Sequence, residues 1–241
     1  MTTPERNDMR WKTYWLCDPR LGMRNRPLWW RWLKWIPLSH GWLVQRLPNL
    51  VARIKGYGAV DTIVDVGVCY GTPALWLTNP KADLVLVDPG VCSSPNNRPA
   101  TVLRAAAGDK NGTVSFEISD YAPGSRTGVG EPVKMTRVDS LNLRGRIGLK
   151  IDVEGNEMAV LHGCETIMPR VQWAIVEWHL HGGDCLPSEM VAWFAEHGMQ
   201  LHDTLHGINP DAPHVGAMDV VFRKANDMLT VSGGRKGTHG H

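Results

Sequence analysis

Short apolar runs recur between residues 60 and 180, and each breaks off at an acid or a glycine. Ile63–Val66, Leu84–Val87, Val102–Ala107, Leu149–Ile151 and Trp173–Val176 are brief, apolar and bounded by turn residues, the signature of buried strands. Helix-compatible stretches intervene, notably Pro73-Ala74-Leu75-Trp76-Leu77 and Met158-Ala159-Val160-Leu161. Strands alternating with helices argue for an α/β fold with a parallel sheet. All five strands then run into polar residues at one edge, and in an open parallel sheet that edge holds the binding crevice.

The first strand carries the most specific pattern. Ile63-Val64-Asp65-Val66-Gly67-Val68-Cys69-Tyr70-Gly71 runs from strand to glycine turn to helix start, the arrangement with which α/β folds cradle nucleotide-like ligands. Gly67 allows a tight turn lying against the ligand, where a β-carbon would collide with it. Gly71 lets the next helix begin close to the sheet, and Pro73 suits a first helical turn. The spacing D-x-G-x-x-x-G is not the G-x-G-x-x-G of dinucleotide enzymes, and no G-K-[ST] marks a P-loop. Asp65, at the carboxyl end of the strand, suits a ligand bearing an ammonium group, as S-adenosylmethionine (SAM) does. Asp88 ends the second strand about 20 residues further on, where a ribose diol is gripped. Ala107 and Gly108, small residues after the third strand, leave room for an adenine ring.

The ordered segments VDVGVCYGTPAL, LVDP, AAAGDKNGTVSF, RVDSL, LKIDVEGNEMAVLHGCETIM and VEWH resemble the FkbM family of SAM-dependent methyltransferases across about residues 60 to 222. The block from IDVEGNE to HGCE is the most distinctive. The resemblance implies a class I Rossmann-like fold, a seven-stranded, mostly parallel sheet with its last strand antiparallel and helices on both faces. Met199–His202 and Asp219–Phe222 then serve as the sixth and seventh strands. SAM binding falls to Asp65, Gly67, Tyr70, Gly71, Asp88, Ala107, Gly108 and Asp152. The family usually carries glutamate where this chain has Asp88, so the ribose contact needs a closer approach. Relatives methylate hydroxyls of sugars, glycans or polyketide-type natural products, which sets the expected acceptor class. Two other readings stand beside it. One is a nucleic-acid 2′-O-methyltransferase, weakened because Lys150 precedes Asp152 without a complete lysine tetrad. The other is a catalytically silent SAM-binding protein that contacts a membrane or partner.

Composition changes the picture mainly at the N-terminus. The chain has 241 residues and a net charge of +2, yet residues 1–60 carry +8 and the remainder −6. Seven of the eleven tryptophans fall in that basic stretch. In Leu28–Pro37 a helix would place Trp29, Trp32, Leu33 and Ile36 on one stripe. Three roles compete for this extension: a cover over the sheet and substrate pocket, a peripheral membrane contact through residues 28–37, or a surface for phosphorylated glycan or nucleic acid. The organisation expected is therefore residues 1–58 as extension, 59–225 as methyltransferase domain and 226–241 as a disordered, Gly-rich tail. No apolar run reaches the roughly 18–20 residues that span a bilayer, and MTTPERNDMRWK lacks the apolar stretch of a secretory signal. The five cysteines are never spaced C-x-x-C, pointing to a cytoplasmic, reduced protein without structural zinc.

Methyl transfer to an alcohol needs an aligned acceptor and a base, because an alcohol is a poor nucleophile near neutral pH. Asp152, Glu154 and His179 are the catalytic candidates, and imidazole is the side chain whose ordinary titration lies nearest pH 7. Asp152 also stands where it could cap the following helix, and Glu157 reads as helical surface. His179 and His181 form an H-x-H pair, too little for a metal site, so metal independence is expected. Tyr121 and Arg126, in the turn-rich segment 119–130, are either lid residues on the acceptor or part of a hairpin connection. With Glu177 and His181 they form the expected substrate set.

Overall fold

The computed structural model describes residues 51–68, 73–90, 98–117, 126–128, 130–179, 185–205 and 217–225. Residues 51–56 are helical and lead into β1, Thr62–Val66. Then come α1 (Pro73–Thr78), β2 (Asp83–Val87), β3 (Thr101–Leu103), β4 (Ala106–Ala107), β5 (Gly112–Glu117), β6 (Arg126–Thr127) and β7 (Glu131–Thr136). The chain continues through β8 (Ile147–Ile151), α2 (Glu157–His162), β9 (Val171–His179), α3 (Pro187–Glu196), β10 (Met199–Thr204) and β11 (Ala217–Lys224).

Seven strands form one sheet in the order β10-β11-β9-β8-β1-β2-β3. β3, β2, β1, β8 and β9 pair in parallel, while β11 runs antiparallel to both β9 and β10. This is the class I methyltransferase sheet expected from the sequence. Every residue of β1 and β8 is buried, which accounts for apolar runs without alternation: a central parallel strand is covered on both faces. One face, carrying Val64, Val66, Leu149, Ile151, Val176 and Phe222, packs against Val160 and Leu161 of α2 and Phe194 of α3. Phe194 stacks on Phe222 with ring centroids 3.8 Å apart, fixing α3 to β11. The opposite face, carrying Ile63, Leu86, Trp173 and Val221, packs against Leu75 and Trp76 of α1 and against Ile54 and Tyr57. Helices thus cover both faces.

The helix at 51–56 is tied down by polar contacts as well. Tyr57 donates its hydroxyl hydrogen to Asp203 Oδ2 at 2.7 Å, and Arg53 Nε donates to the same oxygen at 2.9 Å. Residues 51–58 of the expected extension therefore pack on the sheet. Residues 1–50, including 28–37, and 226–241 lie outside the described residues.

One strand differs from the sequence reading. Val102–Ala107 is not continuous: β3 stays on the main sheet, whereas β4 joins a second, four-stranded sheet in the order β4-β7-β5-β6. The apolar run conceals the break because Ala105 and Ala106 are buried on the far side of it, among different neighbours. In the second sheet β5 pairs antiparallel with both β6 and β7, so Arg126 lies on a hairpin arm opposite Glu117. Residues 118–125 of that segment, Tyr121 among them, lie outside the described residues.

Candidate functional site

Register alone assembles the site. Asp65 of β1 sits opposite Lys150 of β8, Lys150 opposite Ile175 of β9, and Ile175 opposite Val221 of β11. These residues share the sheet face that carries Leu86 and Trp173, because side chains along a strand alternate. Two residues further on along β9, Glu177 pairs with Asp219 of β11. Asp152 and Asp88 lie two residues beyond Lys150 and Leu86. A row of acids therefore crowns the apolar face at the carboxyl ends of the parallel strands, the edge where open α/β sheets bind ligands.

Asp65 is wholly buried. Its Oδ1 lies 3.8 Å from Lys150 Nζ, which also donates to Asp152 Oδ2 at 2.8 Å and to the Gly67 carbonyl at 3.5 Å. Burial works against the Lys150 charge, but the carboxylates of Asp152, Asp65 and Asp219 outweigh it and lift its pKa above the ordinary lysine value. Asp152 is 30% exposed, so solvent reaches one side of it.

Gly67 has φ +73°, a left-handed conformation that glycine adopts without strain. A β-carbon there would stand 1.6 Å from the Asp152 carbonyl oxygen. The collision expected with a ligand is thus met first by the protein's own β8 end. The Gly67 N–H donates to the Val87 carbonyl at 3.0 Å, and the Asp152 N–H donates to the Val66 carbonyl at 3.0 Å, joining three strand ends around the turn.

Carboxylate oxygens of Asp152, Glu154 and Glu177 all lie within 4.8 Å of one another. Glu154 reaches this cluster from a left-handed backbone with φ 60°, the one non-glycine positive φ among the described residues. Oxygen donors so placed can orient hydroxyls, take up a proton, or meet a hard cation. Asp152 does not cap a helix: α2 begins at Glu157 with Asn156 as its N-cap residue. Nor is Glu157 surface. It is 2% exposed, and its Oε1 accepts the N–H groups of Val153 at 3.3 Å and Gly155 at 3.0 Å. Glu157 therefore stiffens the loop that presents Glu154, a role hidden by its place in a first helical turn.

Asp88 Oδ1 accepts the Gly90 N–H at 2.7 Å, and the Asp88 N–H bonds to the Leu103 carbonyl. Ala107 belongs to the second sheet and Gly108 follows it, its N–H donating to the Thr136 carbonyl at 3.1 Å with Gly163 passing close by. His179 closes β9 opposite Ala217. Tyr70, Gly71, Tyr121 and His181 lie outside the described residues. The sequence reading gave no place in the site to Lys150 or Asp219. A lone lysine inside an apolar strand, two residues before the IDVEG acid, was the available signal for the first.

Among the described residues no helix is long and apolar enough to cross a membrane. The family profile for the methyltransferase FkbM domain matches residues 65–201, over half of the chain. A hexuronic acid methyltransferase, AglP, from Haloferax volcanii is 30% identical over 135 residues, covering 49% of this chain and 56% of that relative. The chain thus spans about half the length of the curated relative it matches. Among solved structures, methyltransferase FkbM from Methylobacillus flagellatus KT aligns with a TM-score of 0.47 at 13% identity, over 68% of this chain and 44% of that one. Magnesium protoporphyrin IX methyltransferase from Synechocystis PCC 6803, with bound SAM, aligns with a TM-score of 0.44 at 9% identity, over 93% of this chain and all of that one.

Proposed function

Because the chain belongs to the FkbM methyltransferase family, we propose that it is a SAM-dependent methyltransferase that transfers the methyl group to a hydroxyl of a sugar, glycan or natural-product acceptor, with a uronic acid sugar the first to try. The observation that carries this reading is the acid row beside the glycine turn. The fit to SAM rests on the buried carboxylate of Asp65 and the backbone turn at Gly67. When bound, SAM supplies a methyl group already activated by the positive sulfur. Asp65 would hold the ammonium, Asp88 the ribose hydroxyls and Ala107–Gly108 the adenine.

The chain's own work is on the acceptor. Asp152, Glu154 and Glu177 present oxygens within one small volume, enough to accept hydrogen bonds from neighbouring hydroxyls and fix which one faces the methyl group. His179, at the tip of the same strand as Glu177, supplies the base, with Glu154 the nearest carboxylate alternative. Asp152, already engaged by Lys150, serves orientation and charge. The hexuronic acid relative supports a sugar acceptor.

The test is incubation with labelled SAM and a panel of uronic acid and neutral glycosides, followed by mass spectrometry of the labelled product. The expected product is a methyl ether that survives mild alkali. Label released by alkali would be a methyl ester, moving the acceptor from hydroxyl to carboxylate, and transfer only to RNA would refute the glycan class.

A further inference from the structure

We propose that Lys150 is a positioning residue of the cofactor crevice, holding Asp65, the Gly67 carbonyl and Asp152 in one arrangement so that the SAM-binding acid and the acceptor-side acid keep a fixed separation. The proposal rests on the SAM-dependent reading and is independent of the acceptor. Three contacts carry it: 2.8 Å to Asp152 Oδ2, 3.5 Å to the Gly67 carbonyl and 3.8 Å to Asp65 Oδ1. These three partners come from both sides of the glycine turn, and the ammonium group reaches all of them.

The placement is costly for a purely structural lysine. Its side chain is 8% exposed within a strand whose other residues are all apolar or glycine. Ile175 and Asp65 flank it in register. Burying an ammonium carries a desolvation penalty, and well-packed apolar replacements of buried ion pairs are often neutral or stabilising. Stability alone therefore gives little reason for a charge here. Without the charge, the carboxylates of Asp65 and Asp152, each within 4 Å of the Lys150 ammonium, are left to repel each other. Asp65 is buried, so bulk water screens that repulsion little. Methionine matches lysine in length and flexibility but lacks the charge. Arginine keeps the charge and donors.

Calorimetric titration of the full chain with SAM, and separately with its demethylated product, compares wild type with Lys150→Met and Lys150→Arg, thermal unfolding confirming that each is folded. Lys150→Met is expected to bind SAM about tenfold or more weakly, and Lys150→Arg within about threefold of wild type. In an Asp152→Asn background the Lys150→Met loss should shrink below about threefold, since the two act as one unit. Unchanged binding by Lys150→Met, equal losses for Met and Arg, or a loss undiminished beside Asp152→Asn would each overturn the proposal. If Lys150→Met does not fold, Lys150→Gln carries the same comparison. A wild type that binds SAM yet methylates no glycan would defeat the acceptor reading and leave Lys150 standing. A wild type that binds no SAM would end both.

Discussion

Gly67 and Asp152 meet backbone to backbone: the position of a β-carbon on Gly67 falls 1.6 Å from the Asp152 carbonyl oxygen. Two strand ends therefore close on each other with no space for a methyl group. Gly67→Ala is expected to abolish SAM binding and also to lower the unfolding midpoint, because strand end and turn must part and the residue holds φ +73°. The sequence alone suggests a variant that stays folded while losing its ligand; the contact with β8 makes both losses expected. Calorimetry and thermal unfolding, measured together, check it.

Asp65→Asn keeps the shape of the side chain and removes its charge. SAM affinity should fall by about 1.5–3 kcal/mol, the range for a hydrogen bond to a charged group. Isothermal titration reads this directly, and unchanged affinity would remove Asp65 from the cofactor site.

His179→Ala, which removes the proposed base, should lower turnover while leaving the SAM dissociation constant as it was. If turnover by the variant matched wild type throughout pH 6–8, Glu154 would take the role, and Glu154→Gln would show the loss instead.

Chelation addresses what the carboxylate cluster holds. Methyl transfer is expected to persist in EDTA, with Asp152, Glu154 and Glu177 serving the acceptor. Loss of activity in EDTA, restored by Mg²⁺, would assign their shared volume to a cation.

Away from the crevice, Arg137 donates to Asp139 Oδ1 at 2.9 Å and Oδ2 at 2.7 Å. These bonds hold the Asp139 carboxyl below its ordinary value near 3.8, against the cost of its burial. A depressed folded-state pKa contributes stability that is present above the unfolded value and lost as pH falls through the folded one. Asp139→Asn should therefore cost about 2 kcal/mol at pH 7, and the gap from wild type should close below pH 4 and vanish at lower pH. Thermal melts across that range provide the comparison.

How much was legible in the sequence differs from residue to residue. β1 and β8 announced themselves because a strand covered on both faces must be apolar throughout, and Asp65, Gly67 and Asp152 stood out at their ends. Neighbouring strands were another matter. Nothing in Val102–Ala107 reveals that the chain leaves one sheet for another at Arg104, since burial by either sheet selects the same residues. Lys150 was visible as a letter but not as a contact, because its meaning depends on the β1–β8 register that sets it beside Asp65. Glu157 misled for a related reason: an acid in a first helical turn usually faces water, and here the IDVEG loop folds over it. Glu177 and Asp219 pair only once β11 is known to return antiparallel along β9.

The split between β3 and β4 has a mechanical outcome. Ala106 and Ala107 are laddered to Met135 and Thr136, and Gly108 bonds to Thr136, while Leu103, just before them, is bonded through its carbonyl to Asp88. Two residues of chain, Arg104 and Ala105, thus connect the seven-stranded sheet to the four-stranded one. The proposed adenine-side residues Ala107 and Gly108 therefore depend on β7 for their place, while Asp88 depends on β3.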